Sequence, residues 1–269
     1  MPEGDSIKNA AAKLAPRLEG RTLTDVRTRG DTPLPALIGR TVAAIETHGK
    51  HLVLRPEAGP SLRVHLGMYG KWRRFPPGVR WRRSRAAASL ILETADDVFA
   101  CFRGTVEVLR GPLPERAASL VVLGPDLLAE EADLERVVAR ASLVPSRPIG
   151  EVLLDQRVAA GIGNVYKSET LWLGRVAPQR PVGELSAATL EALYACARRL
   201  LRANLRPGRR ITRGVEPGEA PYRRGGPRTY VYRREGEPCP RCETPVALAR
   251  QGAANRSCYW CPSCQPASG

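Results

Sequence analysis

Four cysteines near the end of this chain constrain its folding more than any other feature. Cys239-Pro-Arg-Cys242 and Cys261-Pro-Ser-Cys264 form two Cys-x-x-Cys pairs with eighteen residues between them, in a short segment carrying Pro, Gly and little to build a core from. Four thiolates at this spacing suit one tetrahedral zinc ion, which supplies the folding energy so small a module lacks. Disulfides are the alternative, and they are disfavoured in an intracellular chain. Cys258 is the odd thiol out by spacing. Cys101 and Cys196 lie in apolar stretches and read as packing.

The other 230 or so residues divide by pattern rather than by motif. A length of 269 residues with 43% hydrophobic content accommodates two medium domains and a small module. No apolar run approaches the roughly 20 residues that span a bilayer, and the start lacks a charged-then-apolar leader. The expected location is therefore intracellular: cytoplasmic and nucleoid-associated. A formal charge of +15 comes almost wholly from Arg, whose fork geometry suits phosphate oxygens. So large a single-sign field points to a polyanionic partner rather than a merely solubilised surface. Nothing in the sequence supports a membrane surface instead.

The chain opens Met1-Pro2-Glu3-Gly4-Asp5. Removal of Met1 leaves a prolyl secondary amine, and an α-amine with a pKa of about 8 keeps a useful neutral fraction for attack on an aldehydic carbon. The resulting iminium has no N–H proton to lose, so it stays a cationic electron sink for elimination. Glu3 adjoins it as a general acid or base. Ile7, Ala10, Ala11, Leu14 and Leu18 then recur at helical spacing, with Asp5 or Ser6 as N-cap. The positive end of that helix disfavours a charged amine beside it.

Short strands are expected next, over 22–28, 41–47, 51–54, 61–65, 89–93, 98–102 and 105–109, punctuated by Gly or Pro as in a β-sandwich. Lys50 sits in a Gly-containing turn. Leu66-Gly67-Met68-Tyr69-Gly70 is a turn with two bulky side chains at its tip, followed by seven basic and no acidic residues from Lys71 to Arg85. Such a tip can wedge into a base stack while cations hold phosphates, although inward packing explains the interleaved Trp residues equally well. Helices are expected over 127–141, 149–159, 165–173 and 187–205, with Ala160-Gly161-Ile162-Gly163-Asn164 as a close-approach turn whose Asn164 caps the next helix or meets a phosphate. From Arg198 to Arg234 twelve Arg face two Glu, and the Gly- and Pro-rich part of that stretch, 207–227, reads as a mobile basic connector.

Pro-Glu-Gly at the start, the Gly-Lys turn, Leu-Leu-Asp-Gln at 153–156 with Ala-Gly-Ile-Gly-Asn at 160–164, and a finger ending Tyr-Trp-Cys-Pro-Ser-Cys-Gln together resemble the formamidopyrimidine-DNA glycosylase and endonuclease VIII family. The resemblance spans nearly the full length. It implies an α+β chain: an N-terminal β-sandwich with a leading helix (1–125), a helix-two-turns-helix domain with the basic connector (126–234) and a zinc-finger hairpin (235–269). It also implies a monomeric base-excision-repair enzyme that binds damaged DNA, releases an oxidised base and cuts the strand by β,δ-elimination. Pro2 matches the Schiff-base nucleophile, Glu3 the acid that assists sugar opening, Lys50 the Lys assigned to phosphate contact and β-elimination, Gly163 and Asn164 the phosphate-binding junction, and Arg256 the finger Arg that grips phosphate and assists δ-elimination. Met68 and Tyr69 fall where endonuclease VIII fills the gap left by the extruded base. Phe102-Arg103-Gly104-Thr105 lacks the Arg-x-Phe wedge of the formamidopyrimidine branch, so the resemblance leans to endonuclease VIII and oxidised pyrimidines.

Three departures bear on this. Asp5-Ser6 replaces the family's Pro-Glu, Gly67 replaces a larger polar finger, and Val122 stands where endonuclease VIII carries a DNA-binding Arg. Two rival readings follow from the same sequence: a zinc-finger DNA-binding protein that is non-catalytic or acts only at abasic sites, and an RNA-binding factor with a zinc ribbon. Phosphate binding alone needs neither a terminal amine nor a carboxylate beside it.

Overall fold

The computed structural model describes residues 2–81, 84–110, 122–206 and 208–267. Met1 at the terminus, Arg82 and Arg83 of the basic run, and Pro207 of the connector lie outside the described residues. The chain divides between Val122 and Leu123 into two compact units.

In the first unit the helical spacing becomes α1 (Gly4–Leu18), with Ile7, Ala11, Leu14 and Leu18 buried along one stripe. Each large apolar side chain so buried contributes about 1.5–3 kcal/mol. The cap differs from expectation. Glu3 is the N-cap residue, and its carbonyl accepts from the Ser6 and Ile7 N–H groups at 2.9 and 3.2 Å. The helix therefore starts before Asp5, which rides in the first turn where the helix dipole favours a carboxylate. At the other end Glu19 Oε1 accepts from Ile45 N–H at 2.8 Å.

The strands are β1 (Asp25–Thr28), β2 (Thr32–Pro33), β3 (Val42–His48), β4 (His51–Pro56), β5 (Ser61–His65), β6 (Lys71–Phe75), β7 (Ala88–Glu93), β8 (Val98–Phe102) and β9 (Thr105–Leu109). They form two antiparallel sheets, ordered β2-β1-β7-β8-β6 and β3-β4-β5-β9. Leu52, Leu54, Leu62 and Val64 of one sheet share a core with Val26, Leu90, Leu92 and Phe99 of the other and with α1. Period-2 alternation turns Val98, Ala100 and Phe102 to the opposite face. There Trp81 stacks on Phe75 at 4.4 Å, while Trp72 packs against the main core. Inward packing accounts for both tryptophans.

The second unit holds α2 (Leu134–Ser142), the single turn α3 (Ile149–Val152), α4 (Asn164–Leu173), α5 (Ala187–Ala203) and an antiparallel hairpin of β10 (Ala247–Gln251) and β11 (Arg256–Trp260). Leu127, Val137, Ile149, Val152, Ile162, Tyr166, Leu193, Tyr194 and Leu200 make its core. Two helices are shorter than their apolar patterns predict. Leu127 and Leu128 enter the core from a turn in which Asp126 Oδ1 accepts from Leu128 N–H at 2.8 Å, so α2 begins at Leu134, capped by Asp133. After Val152 the Asp155 carboxylate draws in Arg157 and Arg147 and turns the chain out of helical register. These cations hold its carboxyl below the ordinary range, the Arg157 hydrogen bond being the largest influence.

The basic connector lacks regular secondary structure but is tied down. Thr212 N–H donates to Arg228 O at 2.9 Å, closing the stretch at its neck, and Tyr222 Oη donates to Gly226 O at 3.0 Å inside it.

Candidate functional site

The first unit presents Pro2 at the edge of a cavity of about 670 Å³ that runs along α1, with Ser6, Leu66 and Gly70 among its walls. Glu3, one residue on, is fully buried, and Asp5 is nearly so. The Ser6 hydroxyl lies 3.4 Å from Asp5 Oδ1. The terminal amine position, the tip turn and the departure at Ser6 thus share one cavity.

The tip joins β5 to β6. Met68 and Tyr69 are 52% and 67% exposed, in a chain that leaves few large apolar groups in water. Glycine is needed at both flanks: Gly67 has φ +57, and a Cβ on Gly70 would lie 2.2 Å from Leu66 O. His65 fixes the turn by accepting from Gly67 N–H at Nδ1, 3.2 Å away. That bond needs a neutral imidazole. Burial first, then the charges of Lys50 and Arg63, hold the His65 pKa down. Lys50 stands in the β3–β4 turn beside His51, whose ring centroid is 5.0 Å from that of His65. Burial, followed by the His65 and Arg63 charges, lowers His51 to about 3.

The second unit builds around the start of α4. Gly161 takes φ +113, and Gln156 braces the turn by donating to Leu154 O and Ile162 O while accepting from Gly161 N–H. Gly163, not Asn164, is the N-cap residue. Asn164 is the first helical residue, and its amide donates to Ser257 Oγ at 3.0 Å. Ser257 follows Arg256, which is exposed at the start of β11. Asn164 thereby meets β11 one residue after Arg256.

The next turn of α4 is polar yet fully buried. Lys167 Nζ donates to Ser257 O at 2.9 Å. The Glu169 carboxylate accepts from the N–H groups of Tyr230 (2.7 Å), Val231 (3.0 Å) and Tyr232 (2.9 Å) and from the Thr212 hydroxyl. Burial pushes its pKa up against these bonds. Sequence reading passed over Lys167, Glu169 and the two histidines, and met Gln156 only as part of the Leu-Leu-Asp-Gln motif.

Cys239, Cys242, Cys261 and Cys264 converge, all four Sγ atoms lying within 4.8 Å of one another. The 239–264, 242–261 and 242–264 separations are 3.9, 3.4 and 3.3 Å. A Zn–S bond of about 2.3 Å puts tetrahedral sulfurs about 3.8 Å apart, so the cluster is of the right size for a metal ion, and it is too open for disulfides. Trp172 Nε1–H donates to Cys239 Sγ at 3.3 Å. Gln265 accepts from Cys261 N–H and donates to Val176 O, fixing the knuckle to the helical core. Cys258 stands apart from the cluster, buried on β11. Cys101 and Cys196 are buried and their thiols raised to about 12, burial being the main cause.

Among the described residues no helix is long and apolar enough to cross a membrane. Residues 1–105 match the formamidopyrimidine-DNA glycosylase N-terminal domain, and residues 123–215 match the formamidopyrimidine-DNA glycosylase H2TH domain. The chain is 43% identical to a probable endonuclease 8 2 of Streptomyces coelicolor, over 98% of this chain and 94% of that protein. It is 38% identical to the DNA-(apurinic or apyrimidinic site) lyase Nei2 of Mycolicibacterium smegmatis, over the full length of both. In fold it is similar to Lactococcus lactis formamidopyrimidine-DNA glycosylase, solved non-covalently bound to DNA containing an AP site, with a TM-score of 0.80 at 21% identity over 98% of this chain and 100% of that one. With both family domains matched and full-length relatives well above 30% identity, this chain belongs to the formamidopyrimidine-DNA glycosylase and endonuclease VIII family of DNA-repair enzymes.

Proposed function

We propose that this chain is a bifunctional DNA glycosylase and AP lyase that removes oxidised bases, pyrimidines foremost, and cuts the strand by β,δ-elimination in base excision repair. The observation that carries the reading is Pro2 lining the cavity along α1, with the fully buried Glu3 next to it. Once Met1 is removed, the Pro2 nitrogen attacks C1′. The C1′–base bond breaks, its electron pair leaves with the base, and the base takes up the proton that the Pro2 nitrogen gives up after its attack. Glu3 delivers a proton to O4′ as the C1′–O4′ bond opens, and the nitrogen lone pair closes the C1′=N iminium. Loss of a C2′ proton expels the 3′ phosphate, and loss of a C4′ proton expels the 5′ phosphate. Water then hydrolyses the imine and frees the amine.

Lys50, in the turn between β3 and β4, serves phosphate contact and β-elimination. Asn164 and Gly163 offer the start of α4 to a phosphate. Arg256 grips the phosphate that leaves in δ-elimination, and Met68 and Tyr69 fill the gap in the duplex. Ser6 stands where the family has a second carboxylate and leaves that end of the cavity to a hydroxyl and water. One zinc ion, held by Cys239, Cys242, Cys261 and Cys264, supplies folding energy to the finger and no step of the chemistry. The enzyme acts as a monomer on damaged DNA in the cytoplasm. Duplex carrying a single oxidised pyrimidine tests this reading. Incision should leave a one-nucleotide gap with phosphate at both ends, and release of the base with no cleavage, or no release at all, would contradict it.

A further inference from the structure

The cavity that begins at Pro2 does not stop at the nucleotide that Pro2 would attack. It continues along one face of α1, from Ser6 past Asn9, Ala10 and Lys13 to Arg17, with β6 as its opposite wall. Eleven residues of helix make this roughly 16 Å, more than the attacked sugar and its base occupy.

The lining has two parts. Ala10, Leu14, Leu66, Trp72 and Phe99 form an apolar floor, and Lys13, Arg17 and Arg74 supply the cations of the rim, with no carboxylate among the lining residues. The two outermost guanidinium groups are held in place. Asp97 lies 3.3 Å from Arg17 Nη1 and 3.6 Å from Arg74 Nε, and its own position is fixed by the Asp97 N–H donating to Thr94 Oγ1 at 3.1 Å. One carboxylate thus aims an arginine from each wall at the mouth. Both side chains remain about half exposed, and each guanidinium keeps donors that a single carboxylate cannot use. A floor of apolar and aromatic groups under a cationic rim is the arrangement that holds an unstacked base and its phosphate.

We propose that the outer part of this groove, Ala10 to Arg17 against Trp72 to Arg74, is a second nucleotide subsite. It takes the nucleotide that neighbours the attacked one on the same DNA strand, with the base on the apolar floor and the phosphate at Lys13 and Arg17. The occupant is a strand nucleotide rather than a free ligand because the inner end of the same cavity is lined by Pro2. The proposal rests on the reading that Pro2 attacks the damaged nucleotide.

The test measures binding of oligonucleotides carrying one tetrahydrofuran abasic analogue, extended one nucleotide at a time on either side of it. Wild-type chain should gain affinity with the first one or two nucleotides on one side. Lys13→Glu and the groove-filling Ala10→Phe should each remove most of that gain, a loss of about tenfold for one phosphate contact and its base. The log–log salt dependence of binding should fall by about one unit of slope in Lys13→Gln. Lys8→Gln removes the same charge from the same helix outside the groove and should leave the length profile unchanged. Borohydride trapping on abasic DNA, run on every variant, reads the chemistry at Pro2 separately. Intact trapping with a flat length profile in the wild type overturns the subsite and leaves the proposed function standing. Equal losses in the Lys8 and Lys13 variants overturn it as well. So does saturable binding of free dAMP, or of an Asp-rich aromatic peptide, that the oligonucleotide does not displace.

Discussion

Glu169→Gln is the sharpest test of what holds the second unit together. In the native chain Oε2 accepts from the Thr212 hydroxyl and Tyr230 N–H, and Oε1 accepts from Val231 and Tyr232 N–H. Glutamine keeps one acceptor oxygen and puts an NH₂ group where the other stood. Two of the four donors then face a donor in a site with no water access, since Glu169 is fully buried. Each buried donor left unsatisfied costs about 1–3 kcal/mol, so the variant should lose about 2–6 kcal/mol. A chain of this size shifts its Tm by roughly 2–4 °C per kcal/mol, which makes the change plain in thermal unfolding of the zinc-loaded protein. The damage should also be local. Amide exchange at Tyr230, Val231 and Tyr232 should accelerate well before that of β7 and β8, which belong to the other unit. Thr212→Val removes one donor but leaves Glu169 Oε2 accepting from Tyr230 N–H, and should cost only about 1 kcal/mol. If Glu169→Gln unfolds within 0.5 kcal/mol of the wild type, the carboxylate is not the anchor its four bonds make it.

Metal removal by a chelator, or Cys264→Ser, should unfold the finger as read by Trp172 fluorescence, because Trp172 donates to Cys239. Cys258→Ser should leave zinc at one per chain, and a halved stoichiometry would reassign the ligands. Met68→Ala and Tyr69→Ala should leave stability within 0.5 kcal/mol, since both side chains are mostly in water, while slowing excision from duplex more than from single strands. Equal slowing on both substrates would remove the wedge role. His51 and His65 have folded pKa values below that of a free imidazole, so the unfolded chain binds more protons in acid and the first unit should lose stability as pH falls below about 6.5. In His51→Gln that acid limb should be shallower, and an unchanged slope would remove the histidine pair from the account.

How far the sequence discloses this molecule depends on where each residue's interactions lie. The finger is legible because its four ligands must fall at fixed spacing. The strands are legible because alternation survives wherever one face is buried, as in β5 and β8. β6 hides because Lys71-Trp72-Arg73-Arg74-Phe75 forms a sheet edge, where basic residues are tolerated on either face. α2 and α3 are over-read because Leu127, Leu128 and Val158 are core residues on turns, and helical spacing does not separate a buried turn from a buried helix. Lys167, Ser168 and Glu169 are polar yet fully buried, since their partners lie between 43 and 91 residues away in the connector and the finger. Pro2 and Glu3 could be read as chemistry. That Pro2 shares a cavity with Ser6 and with Leu66 and Gly70 at the flanks of the tip is a fact of topology alone.

The central claim is that the amine of Pro2 forms the covalent link to DNA. Borohydride reduction during turnover on DNA containing an abasic site, followed by proteolysis and mass spectrometry of the cross-linked peptide, tests it directly. The account predicts that the mature chain begins at Pro2, that the adduct maps to the Pro2 nitrogen, and that an N-terminal extension abolishes both adduct and strand cleavage while DNA binding persists. An adduct that maps to Lys50 in the unmodified protein, or abasic-site cleavage at the normal rate by the extended chain, would contradict it.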